Sequence, residues 1–139
     1  MRFWSVSWVL RQFKILRELG VSTIRISDEM FLLNHNYYEP ICKGLVEADY
    51  GLHMWAYSRV DTARGKFLDL VSSAGIKWLA LGIEAGSQMV RQEVSKGSFK
   101  EVNIRNITAM INEHNINIIA NYIVAVSYTH LTLPTRTVG

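Results

Sequence analysis

Hydrophobic positions along the chain follow two alternating periods, one helical and one extended. Apolar residues three and four positions apart predict a first amphipathic helix that ends at Gly20 and carries Val9, Phe13, Leu16 and Leu19. The β-branched segment 21–26 that follows is short and predicts a strand. The same pair of elements then recurs, which indicates a chain built from helix–strand units.

Three further units are predicted after the first. Their helices carry the apolar sets Tyr38, Ile41, Cys42, Leu45 and Val46, then Phe67, Leu70, Val71 and Ala74, then Ile104, Ile107 and Ile111. The corresponding strands are 52–57, 76–83 and 116–124.

Residues with special backbone or capping preferences separate these elements. Gly51, Gly75 and Asn115 are expected to close the three helices. Asp61 or Thr62 is expected to cap the third helix, and the pair Ser98 and Glu101 forms an S-x-x-E capping box for the fourth.

Short, nearly all-apolar strands that alternate with amphipathic helices indicate a parallel sheet covered by helical crossovers. The predicted fold class is therefore α/β. Periodicity alone leaves open whether the sheet is doubly wound or part of a (β/α) barrel. A complete eight-unit barrel needs about 250 residues, so with 139 residues any barrel here would be partial.

Composition agrees with one folded domain and excludes several classes of function. Hydrophobic residues make up 49% and charged residues 19% of the chain, which argues against disorder. The net charge of +3 comes from scattered residues, so no nucleic-acid partner is expected. No apolar run approaches the roughly 18 residues of a membrane span, and a cytoplasmic location without a membrane partner is expected. The one cysteine, Cys42, excludes an internal disulfide.

The last residues do not follow this pattern. Segment 127–139 shows neither period and resembles translated adapter sequence, so it is expected to be a non-native tail. The predicted domain is accordingly residues 1–126.

Polar residues stand where the predicted strands end. In order, these residues are Asp28 and Glu29, Arg59 and Asp61, and Glu84 and Ser87. Parallel α/β folds bind ligands at the carboxyl ends of their strands, so these side chains are candidates for a ligand site.

The third and fourth strands add two details. Ala80 and Gly82 share a strand face with Glu84, which leaves space for a ligand beside that carboxylate. Asn121 is expected to be a buried amide that lines a polar cavity or bonds neighbouring backbone. Structural roles stay open for the others: Asp28, Asp61 and Ser87 as helix caps, and Glu84 as the partner of Arg59.

Three segments together resemble a known family. They are Ile-Ser-Asp-Glu-Met-Phe at 26–31, Trp-Ala-Tyr-Ser-Arg-Val-Asp-Thr at 55–62 and Leu-Gly-Ile-Glu-Ala-Gly-Ser at 81–87, followed by Lys96 and Gly97. In order and spacing they resemble the second to fourth β/α units of radical S-adenosylmethionine (SAM) enzymes, especially the subgroup with a cobalamin-binding domain ahead of the barrel. The resemblance covers about residues 5–125 and implies a partial barrel.

The resemblance also implies cofactors and residue roles. Members bind SAM and a [4Fe-4S] cluster, and this subgroup also binds cobalamin. By resemblance, Asp28 and Glu29 would lie near the amino group of the methionine moiety and Arg59 would neutralise its carboxylate. Glu84 and Asn121 would bond the ribose or adenine.

The chain departs from the family pattern in one decisive respect. The C-x-x-x-C-x-x-C loop that holds the cluster would precede the first helix, and no cysteine stands there. The chain is therefore expected to be an inactive fragment, with Met1 as an internal methionine or a truncation point. The alternatives are a small α/β enzyme with Glu84 or Asp28 as general base, and a non-catalytic interaction module. Self-association through exposed barrel edges is a further expectation.

Overall fold

The computed structural model describes residues 3–28, 30–63, 65–84 and 104–122, and for Glu84 the backbone alone. Helices and strands alternate throughout these residues. In chain order they are α1 (Val6–Glu18), β1 (Thr23–Ile26), α2 (His35–Ala48), β2 (His53–Arg59), a one-turn 3-10 helix (Val60–Thr62), α3 (Gly65–Ser73), β3 (Ile76–Glu84), α4 (Ile104–Glu113) and β4 (Asn117–Tyr122).

The four strands form one parallel sheet in the order β1-β2-β3-β4. Sequential order without reversal is the topology of a barrel, whereas a doubly wound sheet reverses its strand order at a switch point. The register shifts once between Met54 and Trp55 and once between Gly82 and Glu84. The predicted α/β class and the partial barrel are both confirmed.

One hydrophobic core joins the helices to one face of the sheet. From β2 and β3, this face contributes buried residues at alternating positions, among them Met54, Ala56, Leu79 and Leu81. From the helices come Phe13, Tyr38, Ile41, Cys42, Leu45, Leu68, Val71 and Ile111. The opposite face of the sheet, here called the inner face, carries the residues between them, and Trp78 on it is 46% exposed.

Left-handed residues end the helices, largely as predicted. Gly20, Gly75 and Asn115 have φ of 83°, 99° and 57°. The prediction for α2 was wrong in detail, because Asp49, with φ 45°, follows Ala48 directly and Gly51 stands two residues later. Asp is among the few residues that adopt this conformation at small cost, so it ends the helix before the glycine is reached.

The start of α3 also differs from the prediction. Asp61 and Thr62 lie in the 3-10 helix instead of capping α3, which begins at Gly65. Both side chains are engaged with Arg59 at the end of β2, as described below. The capping box Ser98 and Glu101, the strand beyond Tyr122 and the segment 127–139 lie outside the described residues.

Candidate functional site

The carboxyl ends of the strands bring several candidate side chains to one edge of the sheet. Arg59 at the end of β2 is in register with Gly82 of β3, and Gly82 is in register with Asn121 of β4. Gly82 has no side chain, so it adds no side-chain atoms to the sheet surface between Arg59 and Asn121. This row on the inner face is the central feature of the candidate site.

The side chain of Arg59 is held by Asp61, which follows the end of β2. Its Nε donates to Oδ1 of Asp61 at 2.9 Å, and its Nη2 donates to Oδ2 at 2.7 Å. This bidentate geometry is the strongest arrangement of an arginine–carboxylate pair. The side chains are 37% and 28% exposed, so the pair lies at the surface of the site. The alternative pairing of Arg59 with Glu84 depends on a side chain that lies outside the described part of the structure.

Asp28 follows β1 and stabilises the turn that leaves the strand. Its Oδ1 accepts a hydrogen bond from the amide of Met30 at 2.9 Å. The next amide, of Phe31, donates to the carbonyl of Tyr57 at 3.2 Å, which joins this turn to β2. The cap at the start of α2 is Asn34, so Asp28 caps this turn and not a helix.

The carboxylate of Asp28 also affects a neighbouring phenol. Burial and, second to it, the charge of Asp28 raise the pKa of Tyr37 above its ordinary value. Tyr37 therefore stays protonated through the physiological range and can act as a hydrogen-bond donor near this carboxylate.

Asn121 differs from its expected environment. The sequence suggested a buried amide, but Asn121 is exposed on the inner face. Within the described residues β4 pairs on one side only, with β3, and this explains the exposure. Glu84 ends β3 at the same edge, whereas Glu29 and Ser87 lie outside the described residues.

Aromatic side chains line the inner face below this row. Trp55 and Trp78 are in register on neighbouring strands. The guanidinium of Arg25 lies 5.7 Å from the ring centroid of Trp55, and the ring of Tyr57 lies 5.6 Å from that of Trp55. Sequence reasoning missed these residues, although Trp55, Tyr57 and Arg59 alternate along one strand and that spacing places them on a single face.

A cavity lies at the opposite edge of the sheet from the row of Arg59, Gly82 and Asn121. It has a volume of about 180 Å³ and lies at the amino ends of β2 and β3, where His53, Gly75 and Lys77 are among its lining residues. Lys77 donates from Nζ to the carbonyl of Ser72 at 2.8 Å, which satisfies a carbonyl at the end of α3. This edge therefore has a structural role in joining α3 to β3.

Cys42 does not fit the requirements of an iron-sulfur ligand. It is fully buried on α2, and burial raises the pKa of its thiol to about 12. Cluster ligands are thiolates, and three are needed. No three or more His, Cys, Asp or Glu side chains are placed to hold a metal ion in the part of the chain that the structure describes.

We expect Cys42 to be unreactive in the folded chain. With its pKa raised to about 12, the thiol is the form present at pH 8, and burial blocks access. Iodoacetamide at pH 8 should label Cys42 in urea but leave the native chain unmodified, as measured by intact mass. Anaerobic addition of iron and sulfide should produce no cluster absorbance, and labelling of the native chain at the unfolded rate would contradict this prediction.

None of the helices described is long and apolar enough to cross a membrane. The sequence matches no protein-family model and no curated protein.

The fold does match solved structures. One is the radical S-adenosylmethionine methyltransferase TsrM from Kitasatospora setae with cobalamin and a [4Fe-4S] cluster bound. It has a TM-score of 0.73 and 15% identity over 85% of this chain and 25% of that chain. The same enzyme with tryptophan substrate and the SAM analogue aza-SAM bound gives 0.72 and 16% over 84% and 24%. The chain thus spans about a quarter of the proteins it matches, and the fold implied by its resemblance to radical SAM enzymes is the fold observed.

Proposed function

We propose that this chain forms the SAM-binding side of a radical SAM barrel. The observation that carries the proposal is the row of Arg59, Gly82 and Asn121 at the carboxyl edge of a sequential parallel sheet. That edge is where barrel enzymes place their ligands. The fold match to the TsrM structures and the three motifs at successive strand ends support it from independent directions.

The row of Arg59, Gly82 and Asn121, together with Asp28, offers groups complementary to the polar parts of SAM. Arg59 supplies a cation for the carboxylate of the methionine moiety, and Asp28 supplies an anion on the side of its amino group. Asn121 supplies an exposed amide, which can donate and accept hydrogen bonds. The flat surface at Gly82 allows a ligand to approach the backbone of β3. On the strength of the resemblance, Glu84 is assigned to the ribose or adenine as an acceptor, and Glu29 to the amino group.

The residues of this chain do not fit the cluster, because the single cysteine is buried and protonated. In a complete radical SAM enzyme the cluster supplies the electron that cleaves SAM. The isolated chain is therefore proposed to be inactive in that cleavage and to contribute binding and orientation. Cobalamin is assigned to no residue of this chain.

We expect the full chain to bind SAM and the Glu84→Gln variant to bind it about tenfold more weakly, because a charged hydrogen-bond acceptor is lost. Equilibrium dialysis with radiolabelled SAM measures both affinities. Glu113→Gln is the matched control, since Glu113 is an exposed residue at the end of α4 and its substitution changes the net charge equally. A wild-type chain that does not bind SAM would contradict the proposed function, and an unchanged affinity in Glu84→Gln would remove Glu84 from the site.

A further inference from the structure

The exit of β2 contains a hydrogen-bonded unit of which the proposed function uses only Arg59. Its core is the pair of contacts from Nε and Nη2 of Arg59 to the two carboxylate oxygens of Asp61, at 2.9 and 2.7 Å. We propose that Asp61 is a positioning residue that holds the Arg59 guanidinium in the orientation in which it receives the carboxylate of an amino-acid-like ligand. This inference rests on the proposed function, which assigns the ligand as SAM.

The backbone around this pair is fixed by two hydroxyl groups. Thr62 Oγ1 donates to the carbonyl of Arg59 at 2.9 Å, and the oxygens of Ser58 and Thr62 lie 2.8 Å apart. Ser58 Oγ also lies 3.2 Å from the carbonyl oxygen of Arg59, so either hydroxyl can donate to the other or to that carbonyl. Ser58 is 3% exposed, so water does not compete with these bonds. They stabilise the 3-10 turn that brings Asp61 back alongside Arg59.

The contact with Asp61 restricts the Arg59 side chain before a ligand binds. An arginine side chain has several rotatable bonds, and the bidentate contact restricts them before a ligand arrives. A guanidinium presents its N–H donors in a planar fork, and the bidentate contact with Asp61 fixes the plane of that fork. The plane in which a ligand carboxylate can approach is therefore set by Asp61, which increases affinity by reducing the ordering that binding requires.

A purely electrostatic role for Asp61 would act in the opposite direction. An adjacent carboxylate partly cancels the positive charge of Arg59, and in that role its removal would strengthen the binding of an anion. The two roles therefore predict opposite signs for the same substitution. Asp61→Asn keeps the shape of the side chain and removes its charge, so its effect on SAM affinity distinguishes the positioning role from the electrostatic role.

The test compares SAM with decarboxylated SAM, which lacks only the carboxylate that Arg59 is proposed to receive. We expect Asp61→Asn to weaken SAM binding about tenfold and leave decarboxylated SAM within about twofold. Arg59→Lys keeps the positive charge but not the fork, so in that background Asp61→Asn should have no further effect. Asp69→Asn, at a 90% exposed residue of α3, is the charge-matched control and should change neither affinity.

The possible outcomes separate this inference from the proposed function. Tighter SAM binding by Asp61→Asn, or an equal loss for both ligands, would overturn the positioning role while the proposed function stands. A wild-type chain that binds neither ligand would overturn both. Thermal unfolding of each variant is measured alongside the dialysis. If Asp61→Asn does not fold, the role of the guanidinium fork is tested instead by the ratio of the affinities of Arg59→Lys for SAM and decarboxylated SAM. A preference equal to that of the wild type would show that the fork is not needed.

Discussion

Replacing Gly75 by alanine should destabilise the chain by about 3 to 4 kcal/mol. Gly75 has φ of 99°, which alone costs an alanine on the order of 1 to 2 kcal/mol. A Cβ at this position would also collide with the carbonyl oxygen of Leu52, which belongs to the backbone and cannot move aside. The carbonyl of Gly75 accepts from the amide of Met54 at 2.8 Å, so a shift of Gly75 would disturb the pairing of β2 with β3. Urea unfolding followed by circular dichroism measures the loss.

Gly20→Ala is the matched control for this prediction. Gly20 has φ of 83°, but a Cβ there would meet no atom within 4 Å. Its substitution carries the conformational cost without the collision, so we expect a loss of about 1 to 2 kcal/mol. Equal losses in the two variants would show that the approach of Gly75 to Leu52 is not important for stability.

The order and type of the described elements could be predicted because local patterns determined them. The helical period of α2 and the apolar run of β3 were each unambiguous, and left-handed residues marked the ends. The boundaries were less accurate where two residues competed for one role. Asp49 ended α2 before Gly51, and Arg59 was placed after β2 although it is the last residue of that strand.

The candidate site could be predicted in position but not in its contacts. Parallel strands bring their carboxyl ends to one edge, so the presence of Arg59 there followed from the sequence. The pairing of Arg59 with Asp61 did not, because an aspartate before a helix is equally suited to a capping role. Strand alternation gave no signal for this pair, because Asp61 lies in the 3-10 helix that follows β2 and the contact closes through that turn.

The environment of Asn121 could not be predicted from its neighbours in sequence. Its strand is apolar, but its exposure depends on what lies next to β4 and over the inner face. Burial of this kind is set by distant parts of a fold. The same reasoning applies to Trp78, whose exposure also depends on what lies over the inner face.

The free energy of unfolding lost when a side chain of β3 is replaced should depend strongly on the face of the sheet that carries it. Leu79 is fully buried between the sheet and the helices. Leu79→Ala should therefore destabilise the chain by about 3 kcal/mol, through lost apolar burial and the cavity left behind. Urea unfolding at one fixed protein concentration measures this loss.

Trp78 precedes Leu79 and lies on the inner face with 46% of its surface exposed, so Trp78→Thr, which keeps a residue suited to strands, should cost only about 1 to 2 kcal/mol. A cost as large as that of Leu79→Ala would contradict this, because it would mean that the inner face is covered in solution. Self-association through the sheet is the expected form of such cover, since β1 and β4 each pair on one side only within the described residues. Sedimentation velocity over a range of concentrations tests for this form of cover, because dissociation of a dimer that covers the inner face would expose Trp78.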